Sequence, residues 1–132
     1  MSEGPSPTPV ELAILQAVWE LGPCTVRQIH DALKPARDTG YSTTLKMVQV
    51  MTGKGLLLKD ESVRPQVYRP AQPRERMQLR LIDELIQRAF GGSASELVLR
   101  AASGKRISSR ELAEVKKLIE QAKGRSSGRS NP

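Results

Sequence analysis

The stretch GYSTTLKMVQVMTGKG, residues Gly40 to Gly55, decides the reading of this chain. On a wheel of 3.6 residues per turn, Thr44, Met47, Val48 and Met51 fall on one face, a narrow apolar stripe at helical spacing. Ser42, Lys46 and Gln49 fall opposite, flanked by Thr43 and Val50. A surface helix ordinarily carries charge pairs on its outer face. This one carries hydroxyls, an amide and one lysine, and no carboxylate. Those are the groups that reach base edges and phosphates, so the stretch reads as a helix shaped for the major groove of DNA. Gly53 and Gly55, around Lys54, end it, because glycine accepts the left-handed conformation of a helix C-cap.

The segments on either side agree with that reading. Upstream, Thr8-Pro9-Val10-Glu11 is a capping box with proline at the first helical position. The helix it opens is apolar on two sides, with Val10, Ile14, Ala17, Val18 and Leu21 on one and Leu12, Leu15 and Trp19 on the other, so it is expected to be sandwiched. Gly22-Pro23 stops it. Thr25-Val26-Arg27-Gln28 is a second capping box, and its helix turns Val26, Ile29 and Leu33 inward before ending at Pro35. His30 sits at the edge of that face and Cys24 in a turn, and both are expected to be structural. Pro35 to Gly40 then leads into the reading helix. Helix, helix, turn, helix is the order of a helix-turn-helix core.

Downstream, Leu56 to Lys59 and Gln66 to Arg69 are strand-like, separated by a polar loop from Asp60 to Pro65. A hairpin placed directly after a recognition helix is a wing. Pro70 to Pro73 forms a hinge. Beyond it, Arg74 to Phe90 is a long helix. Ser93 and Ser108 each open a further helix with a glutamate three residues on. These three amphipathic helices cannot bury their stripes well alone, because so small a unit buries too little surface. Pairing with a second copy solves this, through Met77, Leu81, Ile82, Leu85, Ile86, Phe90, Leu97, Leu112, Val115, Leu118 and Ile119.

Charge follows the same division. The chain of 132 residues carries a formal net charge of +7. Residues 1–33 are net −3, residues 34–73 net +4, and residues 74–132 net +6. The candidate reading segment is therefore basic and the segment before it acidic, the footprint of a module that docks one side on phosphates. Ser42, Thr43, Lys46 and Gln49 are expected to face DNA, with Gln49 and Thr43 on base edges and Lys46 and Ser42 on phosphates. Lys34, Arg37, Lys54, Arg64 and Arg69 are expected to add backbone contacts.

Other classes fit less well. With one His and one Cys, neither beside a partner, and no phosphate-cradling glycine loop, the chain shows no catalytic constellation. Neither a metal nor a cofactor is expected. Apolar runs are too short to span a membrane, and MSEGPSPTP lacks the parts of a signal peptide. The lone Cys24 suits a reducing cytoplasm. The alternative reading is a winged-helix module for protein contacts without a DNA partner.

Three segments together carry a resemblance to a known family: PTPVELAILQAVWELGPCTVRQIHDAL, then YSTTLKMVQVMTGKGLLLKDESVRPQVYRP, then LIDELIQRAFGGSASELVLRA. Over residues 8–122 the chain resembles the penicillinase-repressor family of bacterial transcription regulators, which includes the methicillin-resistance repressors and copper-responsive relatives. The resemblance implies a mainly α chain, with a winged helix-turn-helix DNA-binding domain at 8–70 and a three-helix dimerisation domain at 74–122; composition adds a disordered Pro/Ser/Gly arm at 1–7 and a disordered basic Gly/Ser/Arg tail at 123–132. It implies a homodimer that represses resistance or stress genes from palindromic operators. It also implies a membrane sensor-protease as partner. In better-known members that protease cuts an Asn-Phe bond in the short helix of the dimer domain. The matching positions here are Arg100 and Ala101, a departure from that pattern. The Cys-x-Cys motifs of the copper-responsive members are absent.

Overall fold

The structure is a computed structural model and describes residues 6–36, 38–104 and 106–128. Six helices and one hairpin follow in the order α1 (Pro9–Leu21), α2 (Val26–Leu33), α3 (Tyr41–Gly53), β1 (Leu57–Asp60), β2 (Val67–Pro70), α4 (Arg74–Ala89), α5 (Ala94–Ser103) and α6 (Ser109–Gly128). The fold is mainly helical: a winged helix, then a helical C-terminal unit. The chain divides into two compact units, Met1–Leu81 and Ile82–Pro132.

Local chemistry explains the element starts. Thr8 Oγ1 accepts from the Glu11 backbone N–H at 3.2 Å, and Glu11 Oε1 accepts from the Thr8 N–H at 2.9 Å, closing the first capping box. Thr25 and Gln28 repeat the exchange at 3.2 and 2.9 Å. Ser108 and Glu111 do so at the start of α6, at 3.1 and 3.0 Å. Each exchange satisfies backbone donors that the first helical turn leaves without partners.

The end of α3 is equally specific. Leu56 N–H donates to the Met51 carbonyl at 2.9 Å and Gly55 N–H to that of Thr52 at 3.1 Å. This nested pair needs a left-handed residue, and Gly55 has φ +83°. Gly55 therefore carries the turn, while Gly53 is the last helical residue. The same bonds move the hairpin one residue along from its expected start at Leu56, because the Leu56 N–H is already taken. Register pairs Leu57 with Pro70, Leu58 with Arg69, Lys59 with Tyr68 and Asp60 with Val67.

Cys24 does more than occupy a turn. Its N–H donates to the Tyr68 carbonyl at 3.0 Å and its carbonyl accepts from the Tyr68 N–H at 2.7 Å, so it adds a one-residue bridge to the hairpin's edge. Its side chain is buried in the core. Burial pushes its thiol pKa up, which keeps it protonated.

The core of the first unit joins Ile14, Leu15, Val18, Val26, Ile29, Leu33, Val48, Met51, Leu56, Leu57, Tyr68 and Met77. Leu12 and Trp19 pack against it from the second apolar side of α1, as the sandwich expectation requires. Leu21, expected inward, is exposed at the last position of α1. Met77 belongs to this core at 4% exposure, although the sequence placed it in a dimer face. Leu81 packs against the same cluster. The first unit thus takes in the opening of α4, beyond the expected boundary at residue 70.

The second unit is different in kind. No residue of α5 is buried, and Leu85, Val98, Leu99, Leu112, Leu118 and Ile119 are all exposed. The helix α6 continues to Gly128, six residues past the last apolar position at Ala122, into the segment expected to be a tail. Residues 1–5 of the expected arm and 129–132 of the tail lie outside the described residues.

Candidate nucleic-acid interface

Helix α3 is held from beneath by the side chains its stripe predicts. Thr44, Val48 and Met51 are buried and Met47 is half-buried. Burying these residues leaves Ser42, Thr43, Lys46 and Gln49 exposed together along the outer face, with Val50 beside them. The four residues expected to face DNA therefore share one accessible surface. Lys46 is in no ion pair among the described residues.

A buried polar contact sets the angle of this helix on its support. Nδ1 of His30, on α2, lies 2.9 Å from Thr44 Oγ1. Both residues are buried, at 5% and 3% exposure. A polar pair inside an apolar core has few alternative arrangements, so it fixes the register of α3 against α2.

The expected backbone-contact residues divide. Lys34 is exposed at the C-cap of α2. Arg64 is exposed on the wing loop and Arg69 on β2. Arg37 lies outside the described residues. Lys54 is engaged elsewhere. Its Nζ donates to Glu11 Oε2 at 2.7 Å, tying the end of α3 to the start of α1. Glu11 is only 2% exposed. Burial raises its carboxyl pKa, but the Lys54 ammonium and the Thr8 N–H outweigh that and hold it below the ordinary carboxylate value. Lys54 is the counter-charge that a buried carboxylate demands, so in this structure its ammonium is held by Glu11.

Two residues join the surface that the sequence did not single out. Arg27, exposed on the first turn of α2, lays its guanidinium over the ring of Tyr41 at 4.4 Å from the centroid. Tyr41 opens α3 and meets His30 edge-on, with ring centroids 5.7 Å apart at 80°. Beside them a cleft of about 400 Å³ runs between α2, α3 and the wing, lined by Arg27, Tyr41, Leu45, Arg64, Pro65 and Gln66. The only earlier sign of this was Arg27 at an outward position of its helix. That Tyr41 would support it depends on how α2 and α3 cross.

The wing tip is self-contained. Asp60 accepts from the Ser62 N–H at 2.9 Å and from its hydroxyl at 2.6 Å, which lowers the Asp60 pKa. Lys59 pairs with Glu61 at 3.0 Å. Among the described residues no group of three or more His, Cys, Asp or Glu side chains is arranged to hold a metal ion, and no helix is long and apolar enough to cross a membrane. Arg100 and Ala101 lie on α5, Arg100 exposed and 3.8 Å from Glu96 one turn earlier.

Kinship follows from comparison with known proteins. The profile of the family described as penicillinase repressor matches residues 7–121. The chain belongs to the penicillinase repressor family. Two curated relatives, each named transcriptional regulator BlaI, come from Mycobacterium tuberculosis strains CDC 1551 / Oshkosh and ATCC 25618 / H37Rv. Each is 34% identical over 86 residues, which is 64% of this chain and 62% of the relative. The match therefore spans less than two thirds of those relatives. As a member of the penicillinase repressor family, the chain has the winged helix and the trailing helices that the resemblance implied.

Proposed function

We propose that this protein is a sequence-specific DNA-binding transcriptional repressor that works as a homodimer on palindromic operators of resistance or stress-response genes. The observation that carries the reading is the outer face of α3. Ser42, Thr43, Lys46 and Gln49 stand exposed on it with no carboxylate among them, beside a wing that carries Arg64 and Arg69. Membership of the penicillinase repressor family and the name of its mycobacterial relatives support the regulatory role.

The mechanism is steric. Two copies of α3 enter successive major grooves on one face of the duplex, about one helical turn or a multiple of it apart. Gln49 and Thr43 read base edges, Gln being suited to adenine and the Thr methyl to thymine. Lys46 and Ser42 hold phosphates, with Lys34, Arg64 and Arg69 around them. The dimer forms through the exposed apolar side chains of the second unit, Ile82, Leu85, Leu112, Leu118 and Ile119 among them, with Ile86, Phe90, Leu97 and Val115 half-buried beside them. Release by a membrane sensor-protease acting at Arg100 and Ala101 belongs to the same proposal. It requires α5 to unwind locally, since those residues are helical.

The test is a nuclease footprint of the purified protein on the DNA upstream of its own gene, repeated at several salt concentrations. The expected result is a protected inverted repeat whose occupancy falls steeply with salt. Failure to protect that region, and failure to enrich any duplex from a random-sequence pool, would overturn the reading.

A further inference from the structure

We infer that the cleft between α2, α3 and the wing is a phosphate clamp, in which Arg27 on its Tyr41 platform and Arg64 on the wing grip the DNA backbone beside the bases read by α3. The inference rests on the DNA-binding reading above and adds to it a surface and two roles that the sequence did not assign, those of Arg27 and Tyr41.

Four observations carry it. First, Arg27 from α2 and Arg64 from the wing loop line the same cleft, and neither is in an ion pair among the described residues. Two cations facing one open space without an acid between them repel each other until an anion arrives. Second, Arg27 is already placed. Its guanidinium rests on the Tyr41 ring at 4.4 Å, which restricts a side chain whose rotamer freedom would otherwise be lost on binding. Third, the platform is itself anchored, because Tyr41 meets the buried His30 edge-on. Fourth, the cleft adjoins the reading face. Tyr41 and Leu45, which line it, alternate along α3 with Ser42, Lys46 and Gln49.

Geometry favours a polymer backbone over a small anion. At about 400 Å³ the cleft is an open trough and closes around nothing. A guanidinium on a helix and another on a wing loop form a pair of posts that a strand passes between. Arg27 supplies a planar fork that matches phosphate oxygens, and the tyrosine ring keeps that fork in place without neutralising it.

The experiment is a titration of full-length protein against two short duplexes, one carrying the footprinted site and one of unrelated sequence, across a range of potassium chloride concentrations. Arg27→Gln is expected to lower the slope of log affinity against log salt by about 0.9 per protomer, and affinity about eightfold per half-site at about 0.1 M salt, on both duplexes alike. Ethylation of one phosphate next to the bases contacted by α3 is expected to interfere with the wild type and not with Arg27→Gln. Tyr41→Phe keeps the ring and is expected to bind as the wild type does. Tyr41→Leu removes it and is expected to weaken binding about twofold to fivefold without changing the slope.

An unchanged slope in Arg27→Gln, with wild-type binding intact, would overturn the clamp alone. Equal losses in Tyr41→Phe and Tyr41→Leu would overturn the platform. If the wild type binds neither duplex at low salt, the DNA-binding reading fails and the clamp falls with it. Arg27 is exposed, so loss of fold is not expected. A thermal melt of each variant separates a folding defect from a lost contact, and a variant that melts as the wild type does yet keeps its slope counts against the clamp.

Discussion

At the scale of single residues, Glu11 and Lys54 show how one side chain can serve two ends. Glu11 caps α1 through Thr8 and anchors the end of α3 through Lys54 at 2.7 Å. Glu11→Ala removes both. Lys54 is 30% exposed and can turn to water, so the expected loss sits near the lower end for a buried charge partner, about 1–2 kcal/mol at neutral pH. The pH dependence follows from the lowered pKa of Glu11. A carboxyl more acidic in the folded state than in the unfolded chain contributes stability above its unfolded value, and that contribution disappears as pH falls through the folded value. Urea melts of the wild type and Glu11→Ala are therefore expected to differ at neutral pH and to converge at acid pH. The sequence allowed the cap to be read, since Thr and Glu stand three residues apart. The ion pair was illegible, because 43 residues separate its partners.

The pair His30 and Thr44 has the same character. Each residue taken alone reads as ordinary: a histidine at the edge of an apolar face, a threonine in an apolar stripe. Only the crossing of α2 over α3 brings them to 2.9 Å. Thr44→Val keeps the shape and leaves the buried imidazole without this partner, at an expected cost of about 1–3 kcal/mol. Chemical denaturation measures that cost. A neutral result would show that His30 finds another arrangement in the core.

At the scale of elements, α3 was the most legible part of the chain and is the part on which the proposed function depends. Its stripe at positions 44, 47, 48 and 51 is short, yet periodicity separated the supported face from the free one correctly at every position named. Lys46→Ala is expected to reduce the salt slope of DNA binding by about one unit per protomer and leave site preference unchanged, because a phosphate contact carries charge without sequence information. Gln49→Ala is expected to do the reverse, relaxing preference at one base position and leaving the slope alone. Comparing both variants on matched and mismatched duplexes distinguishes the two roles. The wing was legible as a hairpin, but its start was one residue out. Strand propensity carries no information about which amide the helix end has already claimed.

At the scale of the whole molecule, the contrast between the two units matters most. The first holds a continuous core from Ile14 to Met77, whereas in α5 nothing is buried and apolar side chains on α5 and α6 stand in water. A unit so poorly covered is a poor candidate for a free-standing monomer. Sedimentation equilibrium is expected to give a dimer. Leu118→Glu is expected to dissociate it and to weaken operator binding far more than non-specific binding per protomer, because only the paired protein engages both half-sites. Met77, assigned to that interface from periodicity, lies in the core of the first unit. A helical stripe says that a face is covered and does not say by what.

Cys24 has a practical consequence. It is the single cysteine of the chain, its thiol is buried, and its backbone bridges the loop before α2 to the wing strand at Tyr68. Any reagent that alkylates it must wait for that junction to open. The rate of labelling under native conditions thus becomes a clock for local breathing of the winged helix, with the chain supplying its own reporter and no engineered probe required. A duplex bridging α3 and the wing would slow that clock in proportion to its occupancy. Kinetic protection of one sulfur atom then measures binding to DNA without a label on either molecule.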